Sequence, residues 1–348
     1  MSRNNTVDII RGFAMLLVVL GHTMSGCTAN FQDSLLFQVI WTLQMPLFII
    51  ISGYVTRYSR SLLNGGALWS FVKKRSLAYL FPWAIWTFFI RVLVFGETGN
   101  FNIKFLLWHM DCGYWFLITI WTISMIFGLS DLLSNKIAKD KSCKNIFLHF
   151  ALCCVGMVGL AAIGYVLGLS FFCIKLTLYY LPIYLIGYLY GQVQDNLIAK
   201  TYSKALVNVT IAVCLGLWLA IINRFDFFGG ADTPVMIAFR FCTSIFGCTA
   251  IIGIFTSLFN GGGISHMLNW VGVHSLEVYL SHYLLLNLFH MEQLQVLMTL
   301  NGITLMTVNF LTTVGLTSLL IIIVQHNPVL NYLLYAKRSL GSTDFVRG

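Results

Sequence analysis

Long apolar stretches, separated by short polar ones, follow one another along the whole chain. A run of about 20 apolar residues is long enough to cross the hydrocarbon core of a bilayer as a helix. Such a run must be helical, because lipid offers no hydrogen-bond partners to an exposed backbone. The pattern therefore predicts an all-α fold, a polytopic bundle of about ten transmembrane helices. The predicted spans are 8–26, 37–56, 77–95, 114–133, 146–167, 176–193, 205–223, 234–258, 270–290 and 303–325.

The composition is typical of a membrane protein, since 58% of the residues are hydrophobic and only 9% are charged. No polar run reaches the length of a soluble domain, so residues 1–348 are predicted to form a single integral-membrane domain. The net charge is +9, but the basic residues lie in short loops between apolar spans. This distribution is typical of membrane orientation and does not suggest a nucleic-acid partner.

Positive charge alternates between successive loops, and this alternation predicts the orientation of the chain. Cytoplasmic loops of membrane proteins carry an excess of Lys and Arg. Here the even-numbered loops and the tail hold most of the bases, so both termini are predicted to be cytoplasmic. These bases are Arg57, Arg60, Lys73, Lys74, Arg75, Lys136, Lys139, Lys141, Lys144, Lys200, Lys204, Lys337, Arg338 and Arg347. The opposite loops hold Asp33, Glu97, Asp111, Asp226, Asp232 and Glu292.

The first span carries an arginine near its cytoplasmic start and a histidine near its outer end. Arg11 and His22 are eleven residues apart, which is three turns plus about 20°, so both side chains leave the same face. Asp8 lies three residues before Arg11 and can pair with it. Ionisable residues inside a span are costly, which makes them functional candidates. The alternative is a snorkelling arginine with a histidine at the far headgroups.

Three consecutive bases, Lys73, Lys74 and Arg75, lie at the predicted cytoplasmic mouth of the third span. In the simpler interpretation they set the topology, because Lys and Arg favour the cytoplasmic side. In the functional interpretation they form a clamp for phosphates, since clustered Lys and Arg bind polyanions. The sequence alone leaves both interpretations open.

The second span contains a proline and a pair of small residues. Pro46 is predicted to bend or break the helix near its outer end. The pair Ser52-Gly53 permits another helix to approach closely. Packing is the usual role of such a pair, and Ser52 is also a candidate for lining a site.

Later spans add four candidates. Trp115 belongs to an aromatic run at the outer end of span four, where an interfacial belt is the simpler interpretation. Arg240 lies about two turns inside the outer end of span eight. Glu277 and His282 lie in span nine, and a glutamate there is too costly to face lipid, so both are predicted to face the interior. The loop 96–113 is predicted to form a short interfacial helix.

The nine cysteines lie mostly inside the spans, and no two of them form a C-x-x-C pair. Thiolate metal sites and redox motifs use that spacing. The sequence therefore predicts neither a disulfide framework nor a metal site.

Four stretches resemble, in the right order, motifs of the acyltransferase-3 family of bacterial envelope acyltransferases. Asp8-Ile-Ile-Arg11-Gly with His22 is similar to its Arg-x10-His signature, and Met45-Pro-Leu-Phe-Ile-Ile-Ile-Ser-Gly-Tyr54 resembles its Pro-Leu-Phe-Phe-Phe-Ser-Gly element. Two later stretches resemble its basic loop and its Ser-Leu-x-x-Tyr-Leu-x-His run. They are Lys73-Lys-Arg75 with Pro82, and Gly272-Val-His-Ser-Leu-Glu-Val-Tyr-Leu-Ser-His282. Tyr114-Trp-Phe-Leu117 is a weaker match, and Gln44 stands where many members have a histidine.

The resemblance implies a ten-helix enzyme of the bacterial plasma membrane. It implies transfer of an acyl group from cytoplasmic acyl-CoA, usually acetyl-CoA, to a hydroxyl of an envelope glycan or glycolipid. Acyl-CoA, this acceptor and membrane lipids are therefore the expected partners. The acceptor sugar and the oligomeric state stay open.

Acyl transfer to an alcohol needs a base for the hydroxyl and stabilisation of an oxyanion. His22 suits the base or a transient acyl carrier, and Arg11 beside Asp8 suits the thioester oxygen or a CoA phosphate. We expect Lys73, Lys74 and Arg75 to bind the donor. The residues expected to line the site are Ser52, Trp115, Arg240, Glu277 and His282.

A multi-pass transporter or flippase of an envelope precursor is the alternative from a different class. Ten spans, proline-interrupted helices and buried Arg, Glu and His are typical of transporters. No internal repeat supports that interpretation. A purely structural scaffold would leave the buried ionisable residues unexplained.

Overall fold

The computed structural model describes residues 5–96, 102, 107–110, 113–138, 143–193, 204–224, 233–258, 262–289 and 295–337. These residues are almost entirely helical, which confirms the predicted all-α fold class. Among them, the one extended pairing is a two-residue parallel bridge between β1 (Thr28–Ala29) and β2 (Gln295–Val296).

The helices follow one another with short connections. They are α1 (Asn5–Cys27), α2 (Leu35–Val55), α3 (Gly65–Ala84), α4 (Arg91–Phe95), α5 (Trp115–Ala138), α6 (Cys143–Leu167), α7 (Ile174–Val193), α8 (Lys204–Ile221), α9 (Pro234–Leu258), α10 (Gly263–Val273), α11 (Ser275–Ser281), α12 (Leu300–Gln325) and α13 (Pro328–Tyr335). A π-helical turn, Ile85–Ile90, joins α3 to α4. Short 3-10 turns are Phe31–Asp33, Thr56–Tyr58, Phe171–Cys173, Ile222–Arg224 and His282–Leu285.

Nine helical segments in the described part of the chain are long and apolar enough to cross a membrane. They correspond to nine of the ten predicted spans. The predicted ninth span, 270–290, is instead divided between α10 and α11, of 11 and 7 residues. The division falls at His274, whose backbone lies outside the helical region at φ −104° and ψ 21°. Neither piece reaches the length of a spanning helix by itself.

The third span begins earlier than the sequence predicts, and this changes the setting of the basic cluster. α3 starts at Gly65 rather than near residue 77, because the Asn64 side chain caps it by accepting the N–H of Ala67 at 2.8 Å. Lys73, Lys74 and Arg75 consequently lie inside a helix and not in a loop. Consecutive helical residues point about 100° apart, so the three bases leave the helix in different directions.

The prolines of the spans have different effects. Pro82 lies in α3 three residues before the π-helical turn, and wider turns accommodate a missing backbone donor. Pro46 lies inside a continuous α2, so the predicted break there is not observed. Pro182 likewise lies inside a continuous α7.

The described residues group into two compact units. The first comprises Met1–Ile51 and Gln192–Ile322, and the second comprises Ser52–Gly191 and Ile323–Gly348. Each unit is considered by itself below. The single integral-membrane domain over 1–348 stays a prediction.

In the first unit, α1 packs against α10 through two glycines. A Cβ atom on Gly12 would stand 1.9 Å from the carbonyl oxygen of Leu268, and one on Gly272 would stand 1.8 Å from the carbonyl oxygen of Asp8. Backbones approach this closely only where no side chain intervenes. Farther along both segments the parallel bridge pairs Thr28 with Gln295, so α1 and the segment that begins with α10 run in the same direction.

In the second unit, the end of α2 packs against α7. A Cβ atom on Gly53 would stand 1.9 Å from the carbonyl oxygen of Tyr184, which confirms the close approach predicted from Ser52-Gly53. The short helix α13 is an element that the sequence analysis did not predict. It packs on the π-helical turn, where the Trp86 indole N–H donates to the carbonyl oxygen of Leu334 at 2.8 Å and its ring stacks on Tyr335.

Some expectations lie outside the described residues. These include most of the predicted interfacial helix, with Phe101 and Phe105, and the loop residues Lys139 and Asp226. The cytoplasmic location of both termini stays a prediction.

Candidate active site

In α1 the two charged candidates, Asp8 and Arg11, lie next to each other. The guanidinium of Arg11 lies 3.8 Å from the carboxylate of Asp8, which is almost completely buried. This confirms the pairing that the i, i+3 spacing predicts. α1 continues without interruption from this pair to His22, as the predicted shared face requires.

His22 lies beside a tyrosine of another segment. The hydroxyl oxygen of Tyr283 is 3.0 Å from Nε2 of His22 and 3.2 Å from its Nδ1. The two ring centroids are 4.8 Å apart. His22 is mostly but not completely buried, and its imidazole has a polar neighbour in the Tyr283 hydroxyl. A general base or nucleophile must lie within reach of the reacting group.

His282 is the second imidazole of this site. Its ring centroid lies 5.5 Å from that of His22, and its side chain is fully buried. Nδ1 of His282 is 2.9 Å from the carbonyl oxygen of Val278, to which it can only donate. In the neutral ring Nε2 then carries a lone pair, and within the described residues Nε2 has no hydrogen-bond partner. The predicted interior position of His282 is confirmed.

Glu277 is also buried, as predicted, but its side chain is bonded locally. Its Oε1 lies 3.0 Å from Nδ1 of His274, the residue at which the helix divides. The two residues are three positions apart, although the helix is interrupted at the first of them. Arg240 is buried in α9 of the same unit.

A polar stripe on α12 holds the end of this segment in place. Asn309 donates to the carbonyl oxygen of Phe289 and accepts its N–H, both at 3.0 Å. One turn later, the hydroxyl of Thr313 donates to the carbonyl oxygen of Leu285 at 3.0 Å. These bonds satisfy backbone groups at and after the 3-10 turn His282–Leu285, where no α-helix supplies their partners.

The sequence analysis missed Tyr283, Asn309 and Thr313. For the last two a signal existed, because two polar residues four positions apart in an apolar helix mark one face. Tyr283 gave no such signal, since only the fold brings it to His22. Gln44 is buried, and its Oε1 would lie 3.3 Å from a Cβ atom on Gly21, the residue before His22.

In the second unit, the basic cluster separates into two kinds of residue. Lys73 and Lys74 are exposed. Arg75 is partly buried; it donates to the hydroxyl of Tyr79 at 3.2 Å, and its guanidinium carbon lies 5.3 Å from the centre of the Phe71 ring. Aromatic contacts of this kind hold a guanidinium in one orientation.

The other predicted site residues of this unit occupy different surroundings. Ser52 is partly buried next to Gly53, where α2 meets α7. Trp115 stacks on Tyr180 with ring centroids 5.7 Å apart and an interplanar angle of 17°. The stacking packs the indole of Trp115 against α7. Trp115 therefore makes a contact within the protein, which membership of an interfacial belt alone would not require.

A buried polar cluster in the second unit was not recognised from the sequence. His149 of α6 lies 3.2 Å from the carbonyl oxygen of Phe127 through Nε2 and 3.3 Å from the hydroxyl of Tyr188 through Nδ1. Asp131 is 3.9 Å from the same Nδ1 and accepts the N–H of Leu62 at 2.6 Å. Every member has a partner inside the cluster, which ties α5, α6 and α7 to the turn before α3.

Metal chemistry has no candidate centre in the described ranges. Within them, no group of three or more His, Cys, Asp or Glu side chains is arranged to hold a metal ion.

Comparison with known proteins decides the family. The acyltransferase-3 family model, described as an acyltransferase domain, matches residues 4–324, nearly the whole chain. The chain belongs to this family. With nine candidate spans in its described residues, this family member is a multi-pass membrane protein.

A curated relative of this chain is the nodulation protein NolL of Sinorhizobium fredii (strain NBRC 101917 / NGR234). The two are 26% identical over 226 residues, which cover 62% of this chain and 57% of the relative. The match thus spans little more than half the length of the relative. No solved structure matches this chain.

Proposed function

We propose that this acyltransferase moves an acyl group, with acetyl as our expectation, from cytoplasmic acyl-CoA to a hydroxyl of an envelope glycan or glycolipid. The observation that supports the proposal best is the position of His22. It is a mostly buried imidazole with a tyrosine hydroxyl 3.0 Å away, on the same helix as the Asp8–Arg11 pair. The acyl donor, the acceptor and the bacterial plasma membrane as location belong to the proposal.

His22 is proposed to act as the base or as a transient acyl carrier. As a base it takes the proton of the acceptor hydroxyl while the hydroxyl oxygen bonds to the thioester carbonyl carbon. As a carrier it forms that bond itself and passes the acyl group on. Arg11 is proposed to support the donor, because a guanidinium keeps its charge and binds carbonyl or phosphate oxygens through several N–H groups.

Donor binding is proposed for Lys73, Lys74 and Arg75, with Arg75 as the principal contact. Its guanidinium is oriented by Phe71 and Tyr79, whereas both lysines are exposed. An oriented guanidinium loses less freedom when it binds a phosphate than an exposed lysine does. Ser52, Trp115, Arg240, Glu277 and His282 are proposed to line the sites of their respective units.

Acyl transfer by purified protein in lipid nanodiscs tests the proposal. Wild-type protein should release CoA from acetyl-CoA and transfer radiolabelled acetyl to an envelope glycolipid extract. His22→Ala should abolish both reactions while the protein stays folded in the membrane, because general-base help is typically worth 10²–10⁴-fold. His326→Ala, outside the proposed site, is the matched control. Near-normal turnover by folded His22→Ala protein would falsify the assignment.

The transporter alternative keeps one supporting observation, the division of a predicted span into α10 and α11. Discontinuous helices form the binding sites of many transporters. A transporter should release no CoA from acetyl-CoA, so the same assay separates the two functions.

A further inference from the structure

We propose that Tyr79 is a positioning residue, which holds the guanidinium of Arg75 so that one edge of it receives a phosphate of acyl-CoA. This role rests on the proposed function and concerns the second unit alone. The bond that carries it runs from Nη1 of Arg75, which donates to the Tyr79 hydroxyl at 3.2 Å. Both residues lie in α3, four positions apart, so they share one face of the helix.

The bond to Tyr79 leaves one edge of the guanidinium open. A guanidinium carries five N–H groups, and the edge formed by Nε and Nη2 can donate to two oxygens of one phosphate. Within the described residues, neither Nε nor Nη2 of Arg75 has a hydrogen-bond partner, and neither atom is closed off from the surface. Arg75 therefore offers the edge that a phosphate requires, while its Nη1 is already engaged.

No carboxylate in the described part of the second unit balances the charge of Arg75. The one acidic residue among these described residues is Asp131. Asp131 accepts the N–H of Leu62 at 2.6 Å and an amide N–H of Asn135 at 3.1 Å, and it lies 3.9 Å from His149. A partly buried cation without a counter-ion is costly, and a bound phosphate supplies the missing negative charge.

Two aromatic rings restrict the direction in which the open edge points. The guanidinium carbon of Arg75 lies 5.3 Å from the centre of the Phe71 ring and 6.0 Å from that of the Tyr79 ring. Phe71 is itself packed on α5, where a Cβ atom on Gly128 would stand 2.6 Å from one of its ring carbons. Groups that position a binding residue must themselves be held by packing and hydrogen bonds, and Phe71 meets this condition.

The ligand is identified by its phosphate. Acyl-CoA carries a diphosphate in its linker and a phosphate monoester on its ribose, and either can accept two parallel N–H bonds from one guanidinium. Phospholipids carry phosphate as well. We commit to the donor, and the experiment separates it from lipid by using S-acetylpantetheine, a thioester donor that has no phosphate.

Steady-state kinetics of the full-length protein in phosphatidylcholine nanodiscs test this role. Tyr79→Phe keeps the ring and removes the oxygen that accepts the Nη1–H of Arg75. We expect KM for acetyl-CoA to rise about three- to tenfold, the scale of one lost hydrogen bond. The value of kcat, the thermal unfolding midpoint and KM for S-acetylpantetheine should stay at their wild-type values. Tyr165→Phe, on an exposed side chain of α6, is the control.

Two further measurements sharpen the test. Arg75→Lys should raise KM for acetyl-CoA at least as much as Tyr79→Phe does, because an ammonium group lacks the planar fork of a guanidinium. Acetyl-3′-dephospho-CoA separates the two kinds of phosphate. If KM for this donor rises equally in Tyr79→Phe, the contact is with the diphosphate, and if it rises less, the contact is with the ribose phosphate. Both results support the proposal.

The outcomes separate this role from the function on which it rests. Unchanged KM for acetyl-CoA in Tyr79→Phe, with active wild-type protein, would overturn the positioning role alone. Equal rises in KM for acetyl-CoA and S-acetylpantetheine would assign Tyr79 to the fold or to lipid contacts, and would also overturn it. Wild-type protein that releases no thiol from any of these donors would remove the proposed function itself.

Discussion

Gly12 and Gly272 face each other where α1 meets α10. A Cβ atom added to either glycine would lie 3.0 Å from the backbone nitrogen of the other. The contact brings Arg11, next to Gly12 in the chain, to the start of the segment that carries His282. A methyl group on either glycine would have to push two backbones apart.

We therefore predict that Gly12→Ala and Gly272→Ala each destabilise the protein by about 1–3 kcal/mol or more, the usual cost of overpacking. Thermal unfolding in nanodiscs measures the effect. Gly216→Ala is the control, because no atom lies within 4 Å of its added Cβ. It should be neutral or slightly stabilising, since alanine favours a helix. Equal unfolding midpoints for all three variants would contradict the prediction.

A second prediction concerns Asn309, whose amide bonds to both backbone groups of Phe289. Asn309→Ala removes the partner of both backbone groups of the partly exposed Phe289, at up to about 1 kcal/mol for each bond. The unfolding midpoint and CoA release should both fall. Asn301→Ala, an exposed position at the start of the same helix, should change neither. A stable and active Asn309→Ala protein would show that the bonds are dispensable.

A third prediction distinguishes the members of the basic cluster. Arg75→Ala should weaken acetyl-CoA binding at least about tenfold, the lower end for a charged hydrogen bond. Lys73→Ala and Lys74→Ala should weaken it less, because both lysines are exposed and unoriented by aromatic rings. Isothermal calorimetry measures the affinities, with Lys136→Ala as a surface control. Wild-type affinity in the triple alanine variant would exclude this cluster from the donor site.

A fourth prediction concerns the geometry of the charged pair in α1. Arg11→Lys should lower turnover at least about tenfold, because an ammonium group is a point charge without the planar fork of a guanidinium. Asp8→Asn should also lower it by leaving Arg11 without its ion partner at 3.8 Å. Arg224→Lys, at an exposed turn, serves as the control. Equal kcat/KM in Arg11→Lys and wild type would mean that charge alone suffices.

The fifth prediction is the orientation of the chain. Single cysteines placed next to Asp226 and next to Lys139 should react with a membrane-impermeant maleimide from opposite sides. The former should be labelled in intact cells, and the latter only after the cells are opened. Labelling of both from the same side would contradict the cytoplasmic assignment of the termini.

Sequence reasoning succeeded where a local rule decides the outcome. Nine spans follow from hydropathy, because an apolar segment that crosses lipid must satisfy its backbone hydrogen bonds within a helix. The Asp8–Arg11 pair follows from helical spacing, and the burial of Glu277 follows from the cost of exposing a carboxylate to lipid. None of these conclusions requires knowledge of which helices are neighbours.

The remaining features depend on contacts between distant parts of the chain. Tyr283 and His22 are 261 positions apart, and no periodicity relates them. The division of span nine at His274 has no proline to mark it, and His274, Ser275 and Glu277 alone interrupt the apolar run there. The early start of α3 had a local signal, the capping residue Asn64, which hydropathy alone does not register.

The parallel bridge between β1 and β2 has a mechanical consequence for the two histidines. α1 and the segment from α10 onwards are attached to each other at two levels, at Gly12–Gly272 and at Thr28–Gln295. His22 and His282 lie between these attachments. Sliding one segment along the other by one helical turn, about 5.4 Å, would require both attachments to break together. The position of one imidazole relative to the other along the helix axis is thus fixed by one attachment before the two histidines and one after them.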